Sequence, residues 1–172
     1  MKWFSHRIFA VGMAAVCKFD PIGIALAYAG STVPDSIDFF QVKMGASFNR
    51  IHRKHSHAWV WYAIILFVLY GYAYPYLLPY LPKKYITIDT IQEYILAFFF
   101  GIFSHIFLDM LTVTGVPRFV NPNKKIAIKL VTTNRISETI FTFCFFVICS
   151  FWLYISGNPY VTYFINKVYS MI

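Results

Sequence analysis

Three long stretches of the chain are almost free of charge, and they limit its fold more than any other feature. Residues 58–82, AWVWYAIILFVLYGYAYPYLLPYLP, hold no charged side chain. Residues 94–115 hold only His105 and Asp109 as ionisable groups besides Tyr94. Residues 137–156 are rich in Phe, Ile and Trp, with Glu138 at their start. Each stretch is long enough to cross a hydrocarbon core of about 30 Å as a helix. Backbone in lipid must satisfy its own hydrogen bonds, which selects helix over loop or open sheet. Pro75, Pro79 and Pro82 crowd the far end of the first run. Proline removes an N–H and clashes with the preceding turn, so the regular helix is expected to stop or kink near Tyr74. Membrane helices are therefore expected over about residues 58–78, 92–114 and 137–156. Two shorter apolar stretches, 3–17 and 21–32, are divided by Lys18, Phe19, Asp20 and Pro21. They read as a short N-terminal helical hairpin retained in the mature chain, dipping into one leaflet or packed inside the bundle. The expected fold is an all-α, polytopic membrane bundle, a single domain over residues 1–172.

Composition agrees. The chain is 59% hydrophobic and 13% charged, against about 25% charged in a typical soluble domain. Disorder is excluded by the surplus of apolar mass, and a disulfide scaffold by the presence of only three Cys. The formal net charge is +8. In a membrane protein that excess reflects the positive-inside bias and anionic headgroups, so membrane lipids are the expected partners and specific nucleic-acid binding is not. Lys43, Arg50, Arg53 and Lys54 precede the first span, and Arg118, Lys124, Lys125, Lys129 and Arg135 separate the second from the third. Two spans lie between these segments, so they share one side. Only Lys83, Lys84 and Lys167 fall on the other. The richer side is expected to be cytoplasmic.

The chemistry sits in the rare polar residues. His105 and Asp109 are four apart, on one helix face and one turn from each other. A charged Asp inside a span costs about 2.5–3.5 kcal/mol on insertion scales, so it should face a partner, a cavity or a metal. A His–Asp hydrogen bond locking two helices would also serve. In IHRKHSHAW, a transition from loop to helix can present two of His52, His55 and His57 to one metal; a basic segment lying among headgroups is the plainer alternative. Asp35 and Asp38 are three apart after Pro34, which suits the first turn of a helix, where an Asp is also an ordinary cap. Glu138 opens the third span. The expected topology brings all of these groups to one membrane level, on the cytoplasmic side.

These residues resemble a known pattern. GSTVPDSID, HRKHSH and HIFLDMLTVTG are similar to motifs of the YdjM family of inner-membrane, metal-dependent hydrolases. The family pattern has a His near the N-terminus, then G-[SA]-x-x-P-D-x-D, H-R-x-x-[ST]-H and H-x-x-x-D-x-x-T-x-x-G. The matching positions are His6; Gly30, Ser31, Pro34 and Asp35; His52, Arg53, Ser56 and His57; and His105, Asp109, Thr112 and Gly115, with Glu138 as a further candidate. The family has two Asp spaced i,i+2, often followed by His; here Ser36 and Ile37 intervene and Phe39 follows Asp38. His55 falls where the family has an apolar residue, which favours His57 as the ligand.

The resemblance implies a membrane-bound, metal-dependent hydrolase of the inner membrane, multi-pass, with its site facing the cytoplasm. The expected metal ligands are His6, Asp35, His52, His57, His105 and Asp109. Glu138, Asp38 and Arg53 are the expected catalytic or substrate-holding groups. Neutral His and ionised Asp suit zinc first, and iron or manganese as well. Six candidates exceed one tetrahedral site, so some support the ligands from outside or act in acid–base steps, or two metals bind. Arg53, Arg135 and Lys125 could hold a phosphate or carboxylate, which points to a phosphoester or ester of a lipid-like substrate. Two readings without hydrolysis remain: a small metal or proton pathway, which would require an oligomer, and a membrane adaptor with the polar cluster as structural glue.

Overall fold

A computed structural model describes residues 1–77, 88–158 and 166–167. The described chain is mostly helical. Helices α1 (Trp3–Val16) and α2 (Pro21–Gly30) form the expected N-terminal hairpin. Lys18 turns the chain between them in the left-handed region, φ 63°. Asp20 caps α2 by accepting a hydrogen bond from Gly23 N at 2.6 Å, with Pro21 in the first turn, where its missing N–H costs nothing. Helix α3 (Val33–Lys43) follows at once and places Asp35 and Asp38 on its buried side. A short helix α4 (Phe48–Ile51) and a 3-10 turn (His55–His57) then lead into α5 (Trp59–Val68).

The first long apolar run departs from expectation. Regular α-helix ends at Val68 and passes through a π turn, Leu69–Ala73, into the short helix α6 (Tyr74–Leu77). The ring of Pro75 would strike the carbonyl of Gly71 in a regular helix, and a wider turn relieves that clash. Among the described residues, two helices and not three are long and apolar enough to cross a membrane: Asp89–Met110, within α7 (Ile88–Met110), and α8 (Ile136–Ile155). Pro79, Pro82, Lys83, Lys84 and Pro159 lie outside the described residues. The second span also ends earlier than 114. Thr112 Oγ1 donates to Asp109 O at 2.7 Å, and Gly115 turns the chain at φ +63°. Beyond it β1 (Val116–Pro117) pairs antiparallel with β2 (Lys125–Ile126). The return strand ties back to the end of α7, with Ile128 N on Met110 O at 2.8 Å and Leu130 N on Leu111 O at 2.8 Å. Carbonyls left unpaired at a helix end are satisfied in this way.

Helix α7 is the hub. It packs most closely on α2, where Gly30 and Gly101 face the opposite backbone. A Cβ at Gly30 would lie 2.0 Å from Phe98 O, and one at Gly101 2.0 Å from Ala27 O. Only glycine permits that approach, a mode of contact common between membrane helices. Tyr62, Phe99, Ile102, Ile106 and Val116 form one core cluster; Leu108, Leu111 and Val131 belong to a second around Met1. Helix α8 packs on α1 but leaves Phe143, Phe146, Ile148, Phe151 and Trp152 exposed. So large an apolar face marks a surface that meets something other than water.

Candidate metal centre

The close crossing of α2 and α7 brings the end of one helix against the polar face of the other. The carbonyl of Ser31, just beyond α2, accepts a hydrogen bond from His105 Nδ1 at 2.6 Å. That bond fixes the tautomer and leaves the His105 Nε2 lone pair free. A second chain of bonds does the same for His57. Asp38 Oδ1 accepts from the Ser56 hydroxyl, and Ser56 Oγ lies 2.9 Å from His57 Nδ1. With Ser56 donating to the carboxylate, His57 Nδ1–H donates to Ser56, and His57 Nε2 is left with its lone pair. The two Nε2 atoms face each other at 3.2 Å, within hydrogen-bonding distance.

Two carboxylates flank this pair. Asp35 Oδ1 is 3.5 Å from His57 Nε2 and 3.7 Å from His105 Nε2. Asp109 Oδ2 is 3.3 Å and 3.7 Å from the same atoms. Ligands about 2.0–2.2 Å from a tetrahedral zinc ion stand about 3.3–3.6 Å from one another. The five separations fall close to that range. Asp109 Oδ2 is buried yet accepts no hydrogen bond, and both ring nitrogens of His6 are likewise buried without a partner. Orphaned polar atoms of this kind are costly in a dry interior. A cation would satisfy Asp109 Oδ2, and the mixed imidazole and carboxylate set suits a divalent ion.

The other expected residues surround this quartet. His6 stacks on His105 with ring centroids 3.6 Å apart, and its Nε2 lies 3.4 Å from Asp109 Oδ1. His6, His105 and Asp109 form a set of donors within 4.8 Å of one another, and Asp35, Asp38 and His52 form another. His52 sits at the open edge, its Nδ1 2.8 Å from Asp38 Oδ2 and its side chain 29% exposed. Arg53 is buried on a left-handed backbone, φ 55°. Its Nη2 donates to Asp109 Oδ1 at 2.8 Å and its Nη1 to Thr112 Oγ1 at 2.9 Å and to Thr114 Oγ1. The amino group of Met1 donates to the same Asp109 oxygen at 2.6 Å. Asp109 Oδ1 is thereby held by two cations while Oδ2 is left toward the imidazoles.

Glu138 has a different setting. It accepts from Lys2 N, from Ser5 Oγ at 2.9 Å and from Asn134 N at 2.8 Å, so it ties the start of α1 to α8 rather than joining the quartet. His55 is exposed. Ser56, Ser31 and Thr112 hold the candidate ligands, or the Arg53 beside them, without a role having been expected of them. All three stand inside the matched motifs, which is the one signal that could have marked them, though Ser31 acts through its main chain. A backbone carbonyl such as that of Ser31 leaves no trace in residue identity.

Burial and neighbouring charge compete at the groups outside the long helices. Burial favours neutral His57, but the carboxylates of Asp109 and Asp35 outweigh it and raise His57 above its ordinary value. Burial pushes the Asp35 carboxyl up, but His57 and His105 beside it carry it below the usual carboxylate value. The metal-free site therefore favours a proton where a cation would sit.

The family described as YdjM inner membrane protein matches residues 1–171. No curated protein and no solved structure matches the chain. The chain belongs to the YdjM inner membrane protein family.

Proposed function

We propose that this YdjM-family chain is a membrane-bound, metal-dependent hydrolase acting at the cytoplasmic interface on a phosphoester or ester of a lipid-like substrate. One observation carries the reading: His57 Nε2 and His105 Nε2 lie within 3.3–3.7 Å of Asp35 Oδ1 and Asp109 Oδ2. These four residues would hold a divalent ion, zinc first. Such an ion supplies a water-derived nucleophile near neutral pH and polarises an ester or phosphoryl oxygen. The chain's own groups do the rest. Ser31 and Ser56 orient the two imidazoles, as outer partners of metal ligands do. Asp38 holds Nδ1 of the half-exposed His52, leaving the other ring nitrogen to take or give a proton at the cavity edge. Arg53 and Met1 fix Asp109.

The apolar faces of α7 and α8, the basic loop before α8 and the family's membrane character support placing this chemistry beside lipid. The test is hydrolysis of a panel of phosphomonoesters, phosphodiesters and acyl esters by the purified, zinc-loaded protein, against a His105→Ala control. Turnover that vanishes in the control is expected. Metal binding with no turnover across the panel would favour a metal or proton pathway, and absence of metal would favour an adaptor.

A further inference from the structure

Beside the quartet lies a cavity of about 260 Å³ lined by Phe48, His52, Arg53, Thr114, Lys125 and Thr133. Its lining holds two permanent cations, an imidazole and two hydroxyls, and no carboxylate. Two of its lining residues each hold a buried polar atom without a hydrogen-bond partner, Arg53 Nε and Thr133 Oγ1. Arg53 itself is only 5% exposed. A guanidinium, a lysine, an imidazole and two hydroxyls around one hollow suit an acceptor with several oxygens and negative charge.

We propose that this cavity binds the phosphate group of the substrate, so that the bond hydrolysed is a phosphoester and not a neutral acyl ester. The proposal rests on the hydrolase reading for its consequence, but its binding chemistry is independent of the metal. Local structure explains the cavity. Gly115, with φ +63°, lies so close to Ile126 O that a Cβ there would be 2.3 Å away. That approach brings the short β1–β2 pair, with Lys125 on its outer strand, alongside Arg53. Arg53 Nη1 is committed to Thr112 and Thr114 and Nη2 to Asp109, so Nε is the one guanidinium nitrogen without a partner. The cavity meets the metal quartet at Arg53, which is bonded to Asp109, and reaches His57 indirectly, through His52, Asp38 and Ser56. A phosphate seated there would have its ester bond beside the His52 imidazole. Phe48, stacked on His52 with centroids 4.5 Å apart, offers an apolar wall to what the phosphate carries.

The experiment uses the full chain in detergent, stripped of metal by a chelator and titrated with inorganic phosphate by calorimetry. Saturable binding is expected in the native chain. Lys125→Gln should weaken it by about tenfold, the scale of one charge-assisted hydrogen bond, and Thr133→Val by about fivefold, the scale of a neutral one. Lys125 is exposed, so the first variant should fold normally. Competition separates the sources of phosphate. If the occupant is a lipid headgroup, dihexanoyl phosphatidate should bind about tenfold or more tighter than phosphate, because its chains add apolar contact. Equal affinity assigns the cavity to a water-soluble phosphate compound. Absence of saturable binding, unchanged affinity in both variants, or equal competition by a neutral dihexanoyl ester would overturn the proposal. Failure of the hydrolase reading would appear elsewhere, as a chain that takes up no zinc while phosphate binding persists.

Discussion

His105 is held at three points: its Nδ1 by the Ser31 carbonyl, its face by His6, and its Nε2 opposite His57. Its pairing with Asp109 was legible from the i,i+4 spacing inside an apolar run. The Ser56 relay between Asp38 and His57 was not, because a serine in a basic segment is ordinary until the fold places it. The position of Glu138 at a helix start was likewise legible, but its partners Lys2 and Ser5 are far away in sequence. Removing the relay should matter more for metal than for folding: Ser56→Ala is expected to weaken zinc affinity by about 10–100-fold, as loss of an outer partner does. Competition with a chromophoric chelator measures it, and unchanged affinity would remove Ser56 from the site. The raised His57 value sets a pH dependence. Its proton stabilises the metal-free fold below the ordinary histidine value near 6.5 and ceases to do so as pH rises through the raised value. Zinc needs the neutral ring, so affinity should fall by about tenfold per pH unit below that raised value. Zinc titrations between pH 6 and 8 test this, and a flat profile would contradict it.

At the scale of elements, the hairpin α1–α2 and the two long helices α7 and α8 follow from apolar runs and their caps. The π turn at Leu69–Ala73 was visible only as a proline-rich end to a run. The close crossing of α2 and α7 was not visible, since Gly30 and Gly101 stand 71 positions apart and nothing local pairs them. That crossing carries the site, because it sets Ser31 against His105 and Asp35 near the two imidazoles. Gly101→Ala would place its methyl carbon 2.0 Å from Ala27 O. Backbone must move to relieve such a contact, at a cost of about 3 kcal/mol or more. The expected outcome is a lowered thermal midpoint in detergent together with lost zinc binding. Gly71→Ala meets nothing within 4 Å and should stay within about 1 kcal/mol of the native chain. Equal behaviour of the two variants would mean the crossing is not what holds the site.

For the whole molecule, the uneven distribution of Lys and Arg predicts an orientation that the fold does not by itself decide. With the native cysteines replaced, Lys43→Cys should resist a membrane-impermeant thiol reagent in intact cells, while Lys84→Cys should react. The reverse pattern would put the metal quartet on the opposite face of the membrane. The mostly helical character and the set of polar residues that meet were largely readable in the chain; their division into an inner quartet, a stacked His6 and an outer His52–Asp38 pair required the packing of α3 and α7 around the His55–His57 turn. The central claim is that this packing holds a divalent cation. Its most direct test is elemental analysis of the protein purified from zinc-supplemented cells. The native chain should carry about one or more zinc ions, and His105→Ala and Asp109→Ala about a tenth of that or less while still inserting into membranes. A native chain free of metal, or variants loaded as fully as the native chain, would contradict the account.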